Sequence, residues 1–205
     1  MNKIKASYII ESEINGLELL KQIEKVGRTC YKSENKITDK SAIKFVINLI
    51  KQGHEAMIEH NSLSVRFICD RGISHEIVRH RLASFGQEST RYCNYTKDKF
   101  SNEITVIEPI FWGEGTYGYE LWENACHLSE KSYFHLLEVG AKPEEARSIL
   151  PTSLKTEIVV TMNLREWRHF FKLRTESVAH PQMRELTIPL LEELKTLIPI
   201  VFDDI

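Results

Sequence analysis

"RHRLASFGQESTRY", residues 79–92, gathers three arginines, a histidine, three serine or threonine hydroxyls and one carboxylate into fourteen positions. Its first part reads as the end of a short helix over Ile73–Arg81, following the break at Gly72. On that helix His75 and Arg79 are four apart, as are Glu76 and His80, so each pair shares a face. Arg79 and Arg81 then point about 200° apart and would grip two groups, or one group on each side of a wall. Ile77, Val78 and Leu82 lie among the charges and tie the segment down. From Ser84 onward no helical apolar period is visible, so residues 84–95 read as a loop. Ser89, Thr90 and Arg91 combine hydroxyl donors, free backbone N–H groups and a guanidinium fork, a composition suited to phosphate. The bland alternative is a solvated face with pairing between turns.

The rest of the chain bounds these readings. It has 205 residues, 42% hydrophobic and 27% charged, with net charge −2. That is ordinary globular composition. The arginine knot is therefore local, and a general nucleic-acid coat would shift the whole balance positive. Cysteines stand at 30, 69, 93 and 126 with no CxxC pair, which points to free thiols in a reducing cytoplasm rather than a zinc knuckle or redox dithiol. The first residues lack the apolar core of a signal peptide. No stretch approaches the roughly 18 apolar residues of a membrane span.

Periodicity then predicts the elements. Residues 3–10 read as a first strand and Gly16–Val26 as a helix. A second helix over Thr38–Gln52 starts at Thr38 or Asp39 and places Ile43, Val46, Ile47 and Ile50 on one apolar face. Ser62–Cys69 alternates with Leu63, Val65 and Phe67 inward, a half-buried strand. Ile104–Ile107 is a short strand and residues 111–118 a turn region. A long helix over Tyr119–Val139 carries Leu121, Ala125, Leu128 and Leu136 on one face and ends at Gly140. Pro143 opens a helix through Leu150. Residues 156–162, "TEIVVTM", read as a buried strand. Asn163 caps a helix over Leu164–Leu173, and Pro181 begins the last one, with Met183, Leu186, Leu190, Leu194 and Leu197 inward. With no linker or repeat, the expectation is one α+β domain over residues 1–205.

Familiar catalytic motifs are missing. "HEAMIEH" at 54–60 and "HEIVRH" at 75–80 look like a zinc helix, but their histidines are six and five apart rather than four. No metal is expected. No nucleophile elbow, dinucleotide fingerprint or phosphate-binding loop of the P-loop type occurs. A second cation group follows in Arg147, Arg165, Arg168, Lys172 and Arg174. By itself it reads either as an amphipathic helix with snorkelling arginines or as a second part of an anion site.

Here the order of motifs adds what spacing does not. RHR followed by seven residues and a serine, Arg79–Ser89, resembles the signature of the flavin-dependent thymidylate synthases. "GHEAMIEH" at 53–60, the Arg-Tyr at 91–92, "EEARSILP" at 144–151, "TMNLREWRHFFKLR" at 161–174 and "AHPQMREL" at 179–186 are similar to that family in its order. The resemblance runs from about Gly27 to Leu197. It implies a central, mainly antiparallel sheet flanked by helices, in a homotetramer with active sites between subunits. It implies methylation of dUMP to dTMP with methylenetetrahydrofolate as carbon donor, FAD as hydride carrier and NADPH as reductant. Arg79, His80, Arg81, His54, Gln87, Asn163, Leu164, Arg165, His169 and His180 match FAD positions. Glu76, Arg79, Gln87, Glu88, Ser89, Thr90, Arg91, Arg147 and Arg174 match dUMP positions, and Arg174 matches the arginine held to activate the uracil. Glu76 stands where glutamine is frequent, Gln87 where glutamate is, Ala56 where Ser or Thr is and His169 where Asn is.

Two other readings compete. A nucleic-acid module would use both arginine groups with Tyr92, Tyr95 and Trp167 for stacking. A nucleotide hydrolase would hold phosphate on the same arginines and take a base from His54, Glu59 or His60.

Overall fold

The computed structural model describes residues 1–91, 95 and 102–205. Tyr92 and Cys93 lie outside the described residues. The fold is α+β, a mainly antiparallel sheet with flanking helices. In chain order the strands are β1 Asn2–Ile4, β2 Ser7–Ile10, β3 Ser62–Asp70, β4 Ala83–Gln87, β5 Thr105–Ile107 and β6 Lys155–Asn163. The helices are α1 Gly16–Thr29, α2 Ser41–Lys51, α3 Arg71–Ile77, α4 Tyr117–Glu138, α5 Pro143–Ala146, α6 Leu164–Arg174 and α7 Pro181–Leu197. Four strands take the order β2-β3-β6-β4, and β1 pairs in parallel with β5. The β3–β6 register follows from two contacts. Ser64 Oγ lies 2.8 Å from Thr161 Oγ1. Seven residues on from the first, just past the end of β3, and seven back from the second, just before β6, the Arg71 N–H donates to the Leu154 carbonyl at 3.1 Å. Opposite directions of travel make the pair antiparallel.

Tertiary contacts gather the chain into two compact units, one of residues 1–7, 67–79 and 86–159, the other of residues 8–66, 80–85 and 160–205. The first closes over Ile104, Val106, Cys126, Tyr133, Ala146 and Leu154, all buried. The second is centred on α6. Trp167 stacks on Phe171 at 5.7 Å, Phe202 meets Phe171 edge-on, and Leu190 and Leu194 of α7 are fully buried. Asn163 Oδ1 accepts from the Glu166 N–H at 2.8 Å and caps α6 as expected. Gly140 follows α4 at φ 94°, a left-handed position where a side chain would be strained.

Several expectations need correction. Residues 3–10 are two short strands in different sheets, not one. The α2 start moves to Ser41 and its buried face is Ala42, Val46 and Leu49, while Ile43 is exposed. Phe45 lies over Gly27, whose absent side chain leaves room for the ring. In α4 the inward residues are Tyr119, Cys126 and Tyr133, whereas Leu121 and Leu128 are exposed. Aromatic rings bury more apolar area than leucine and override the aliphatic period. Leu197 is likewise partly exposed.

The largest correction falls on the arginine knot. Helix α3 ends at Ile77, so neither His75–Arg79 nor Glu76–His80 is a helical pair. Val78 and Leu82 are exposed and anchor nothing. The buried anchors are Ile77 and His80. The predicted loop begins as a strand, β4, with mostly exposed residues and hence no apolar alternation to read. Pro143 starts only one turn of α-helix, continued by a 3-10 turn over Arg147–Ile149. Among the described residues no helix is long and apolar enough to cross a membrane.

Candidate active site

In the second unit His80 is the centre of a buried polar group. It is 4% exposed, between two exposed arginines, Arg79 and Arg81. The ring packs edge-on against Phe170 at 4.9 Å and His169 at 5.7 Å. Arg174, the last residue of α6, donates its Nε–H to His80 Nε2 at 3.1 Å. His80 Nδ1 lies 3.3 Å from Glu166 Oε1. Burial, and then the positive charge of Arg174, push the His80 pKa down to about 4. The ring is therefore neutral at pH 7, and its contact with Glu166 is a hydrogen bond rather than an ion pair. Burial also raises the Glu166 carboxyl above its ordinary value. His80, Glu166 and His169 have ligand atoms within 4.8 Å of one another. A cation there would have to displace Arg174 from the single lone pair of the neutral ring.

A cavity of about 500 Å³ opens beside this group, lined by Asn163, Arg165, Glu166, His169 and Leu82 among others. Arg165 is engaged at its rim, 2.5 Å from Glu59 Oε1. Leu164 is wholly buried, its N–H donating to the Asn61 carbonyl at 2.9 Å. Another cavity of the same unit, about 540 Å³, is mainly apolar, with Tyr31, Phe45, Leu49 and Met57 in its wall and His54 and Ala56 at its edge. His180 is exposed and caps α7, with Nδ1 accepting from the Gln182 N–H at 3.3 Å.

The first unit holds the other cluster. Arg147 Nη1 donates to the buried Thr90 Oγ1 at 3.0 Å. Both line a cavity of about 430 Å³ with Arg71, His75, Ser148 and Thr152. Arg71 Nη1 reaches only a hydroxyl, Thr156 Oγ1, at 3.5 Å. Among the described residues neither Arg71 nor Arg147 has a carboxylate within 4.0 Å. Other arginines do: Arg28 with Glu24, Arg66 with Glu11, Arg168 with Glu55 and Asp204. Glu144 also lines the cavity, but with two guanidinium groups facing it and neither paired to that carboxylate the arrangement favours an anion.

Gln87 supports this wall. Ser74 Oγ gives its proton to the Arg71 carbonyl, so it accepts from Gln87 Nε2 at 2.8 Å. Gln87 Nε2 also reaches Thr156 Oγ1 at 3.2 Å. The amide is thus held nitrogen-inward, which a glutamate at this position would not reproduce. Glu88 is tied to Lys155 at 3.2 Å, and the Arg91 N–H reaches Ser89 Oγ at 3.4 Å. Glu76 stands on α3, its carbonyl accepting from the Arg79 N–H at 3.2 Å.

Sequence reasoning missed Arg71, His75 and Glu166 as site residues. Arg71 reaches the cavity through pairing with Leu154, a contact between distant segments with no local signature. Glu166 did carry a signal. It stands three residues after the Asn163 cap, the capping-box spacing, yet its carboxylate goes to His80. The nucleic-acid reading loses two of its three stacking residues. Trp167 is fully buried with its Nε1–H on the Leu63 carbonyl, and Tyr95 is buried against Tyr133.

Comparison with known proteins bears on the same residues. A family model described as thymidylate synthase complementing protein matches residues 17–200. The chain is 34% identical to the flavin-dependent thymidylate synthase of Pyrococcus furiosus over 169 residues, 82% of this chain and 68% of that protein. It is 32% identical to that of Geobacter sulfurreducens over 185 residues, 87% and 78% respectively. Its fold is similar to that of a UMP/dUMP methylase from Streptomyces cacaoi solved with 5-Br dUMP, with TM-score 0.80, 20% identity and coverage of 99% and 96%. A match over most of the chain, together with relatives above 30% identity, means that the chain belongs to the thymidylate synthase complementing family, the flavin-dependent thymidylate synthases.

Proposed function

We propose that the protein methylates dUMP to dTMP in the cytoplasm, with methylenetetrahydrofolate as carbon donor, FAD as cofactor and NADPH as reductant. We also propose that residues 1–205 act as one domain. The observation that carries the reading is the pair Arg71 and Arg147 facing one cavity with Thr90, neither guanidinium having a carboxylate within 4.0 Å among the described residues. That arrangement suits the 5′-phosphate of dUMP, with Ser89 and Arg91 on the adjoining segment as further donors.

The residues present fit a flavin. The 540 Å³ apolar cavity beside His54 would accept a flat aromatic ring, and the exposed Arg79 and Arg81 would hold a diphosphate. Asn163, Arg165, His169 and His180 complete the proposed FAD contacts. A bound flavin, once reduced by NADPH, would supply the hydride, so no cysteine nucleophile is needed. Cys69 agrees with this, because burial raises its thiol pKa and keeps it protonated.

Arg174 is the proposed catalytic residue. Uracil is a weak nucleophile at C5, and a fixed guanidinium beside the ring stabilises the negative charge that develops there. Glu76, Gln87 and Glu88 shape the nucleotide loop. A homotetramer with sites between subunits is part of this reading, and the exposed Leu121 and Leu128 of α4 support it as a face for a second copy.

The test is dTMP formation from dUMP with each of FAD, NADPH and methylenetetrahydrofolate omitted in turn. Turnover that needs all three is the expected result. Release of phosphate or uracil from dUMP without folate or reductant would establish the hydrolase instead.

A further inference from the structure

We propose that Glu166 is a positioning residue for Arg174, acting through His80. Its carboxylate holds the imidazole in the Nδ1–H form, so that Nε2 offers a lone pair to the Arg174 Nε–H and aims the guanidinium. The inference rests on the catalytic reading of Arg174 given above.

The proton assignment follows from Arg174. Its Nε always carries a hydrogen, and that atom lies 3.1 Å from His80 Nε2 with donor geometry. Nε2 must therefore be the acceptor. A neutral imidazole with Nε2 bare carries its proton on Nδ1, and the atom facing Nδ1 is Glu166 Oε1 at 3.3 Å. The reverse tautomer would set two N–H groups against each other and leave Glu166 with no donor from the ring. Phe170 and His169 flank the imidazole and restrict its tilt.

The geometry supplies an intermediary. Glu166 stands in the first turn of α6 and Arg174 is its last residue. Eight residues of helix separate their backbones, roughly 12 Å, and the imidazole stands between the carboxylate and the guanidinium. His80, arriving from outside the helix, spans the gap. Glu166 also departs from the local rule for its position. A glutamate three residues after an asparagine cap ordinarily returns to the N-cap backbone N–H, whereas this carboxylate goes to the imidazole. The N-terminal end of α6 favours a negative charge there, which offsets part of the cost of burying it.

The experiment uses the full chain loaded with FAD. Long-range ¹H–¹⁵N correlation of the imidazole nitrogens, with His80 assigned through His80→Gln, reads the tautomer directly. The Nδ1–H form in the wild type is expected; the Nε2–H form would overturn the inference whether or not any variant folds. Kinetics of dTMP formation supply the second reading. Glu166→Leu removes the acceptor and should lower kcat about 10-fold with KM for dUMP changed less than about threefold. Glu166→Gln keeps an acceptor oxygen and should restore kcat to within about threefold of wild type. Equal losses in both variants would show that charge or folding, not the hydrogen bond, is at stake. Full turnover in Glu166→Leu with Arg174→Ala inactive would end the positioning role alone. Full turnover in Arg174→Ala would overturn the catalytic reading itself.

Discussion

Acidification should destabilise this protein through His80. The ring is buried neutral, with its pKa lowered to about 4 from an ordinary 6.5 by burial, by Arg174 and by His169. Protonation therefore favours the unfolded chain. The stability stored in the neutral ring is fully present above pH 6.5 and is lost as pH falls toward 4. At pH 4.5 the full shift would correspond to about 2.5 kcal/mol. Solvent screening at the cavity beside His169 leaves roughly 1–2 kcal/mol of that. Glu166 works the other way. Its raised pKa means that the folded state takes up a proton more readily than the unfolded one as pH falls, which offsets part of the loss. The assay is urea unfolding at fixed protein concentration between pH 7.5 and 4.5, comparing wild type with His80→Gln. The wild type should lose roughly 1–2 kcal/mol more than the variant over that range. Parallel losses in the two proteins would refute the burial of a neutral imidazole at this position.

Other outcomes follow from particular contacts. Arg168 is buried between Glu55 and Asp204 and also donates to the Val201 carbonyl; Arg168→Met should cost about 3 kcal/mol in chemical denaturation, because Asp204 and the Val201 carbonyl lose their partner and Glu55 keeps only the 3.6 Å contact with Arg165. A methyl group at residue 16 would lie 2.2 Å from the Leu197 carbonyl oxygen, so Gly16→Ala should lower stability by about 1–3 kcal/mol. Arg147→Ala and Arg71→Gln should each raise KM for dUMP more than they lower kcat, since a phosphate contact is present in ground and transition states alike. Cys126→Ser should retain dTMP formation in steady-state assay, the sulfur being buried beside Ser153 Oγ at 3.3 Å rather than in either cation cluster.

Sequence by itself determined the elements whose signals are local. The Leu63-Val65-Phe67 alternation, the Asn163 cap and the Pro181 start depend on neighbouring residues, and each appears where it was expected. The order of motifs likewise determined the family, because each short block is a contiguous string. Tertiary structure decided the helix faces and the use of the arginine knot. Whether α4 turns its leucines or its tyrosines inward depends on what packs opposite, and that partner is not adjacent in the chain. Arg79, His80 and Arg81 are neighbours in the chain, yet burial against Phe170 and a hydrogen bond from Arg174 make the middle one a neutral acceptor. Arg71 became a candidate site residue only because antiparallel pairing brings it to Leu154, and Glu166 only because its carboxylate leaves the cap for a ring 86 positions away. Protonation state and partner choice are set by distance and dielectric in three dimensions, and neither is encoded in residue spacing.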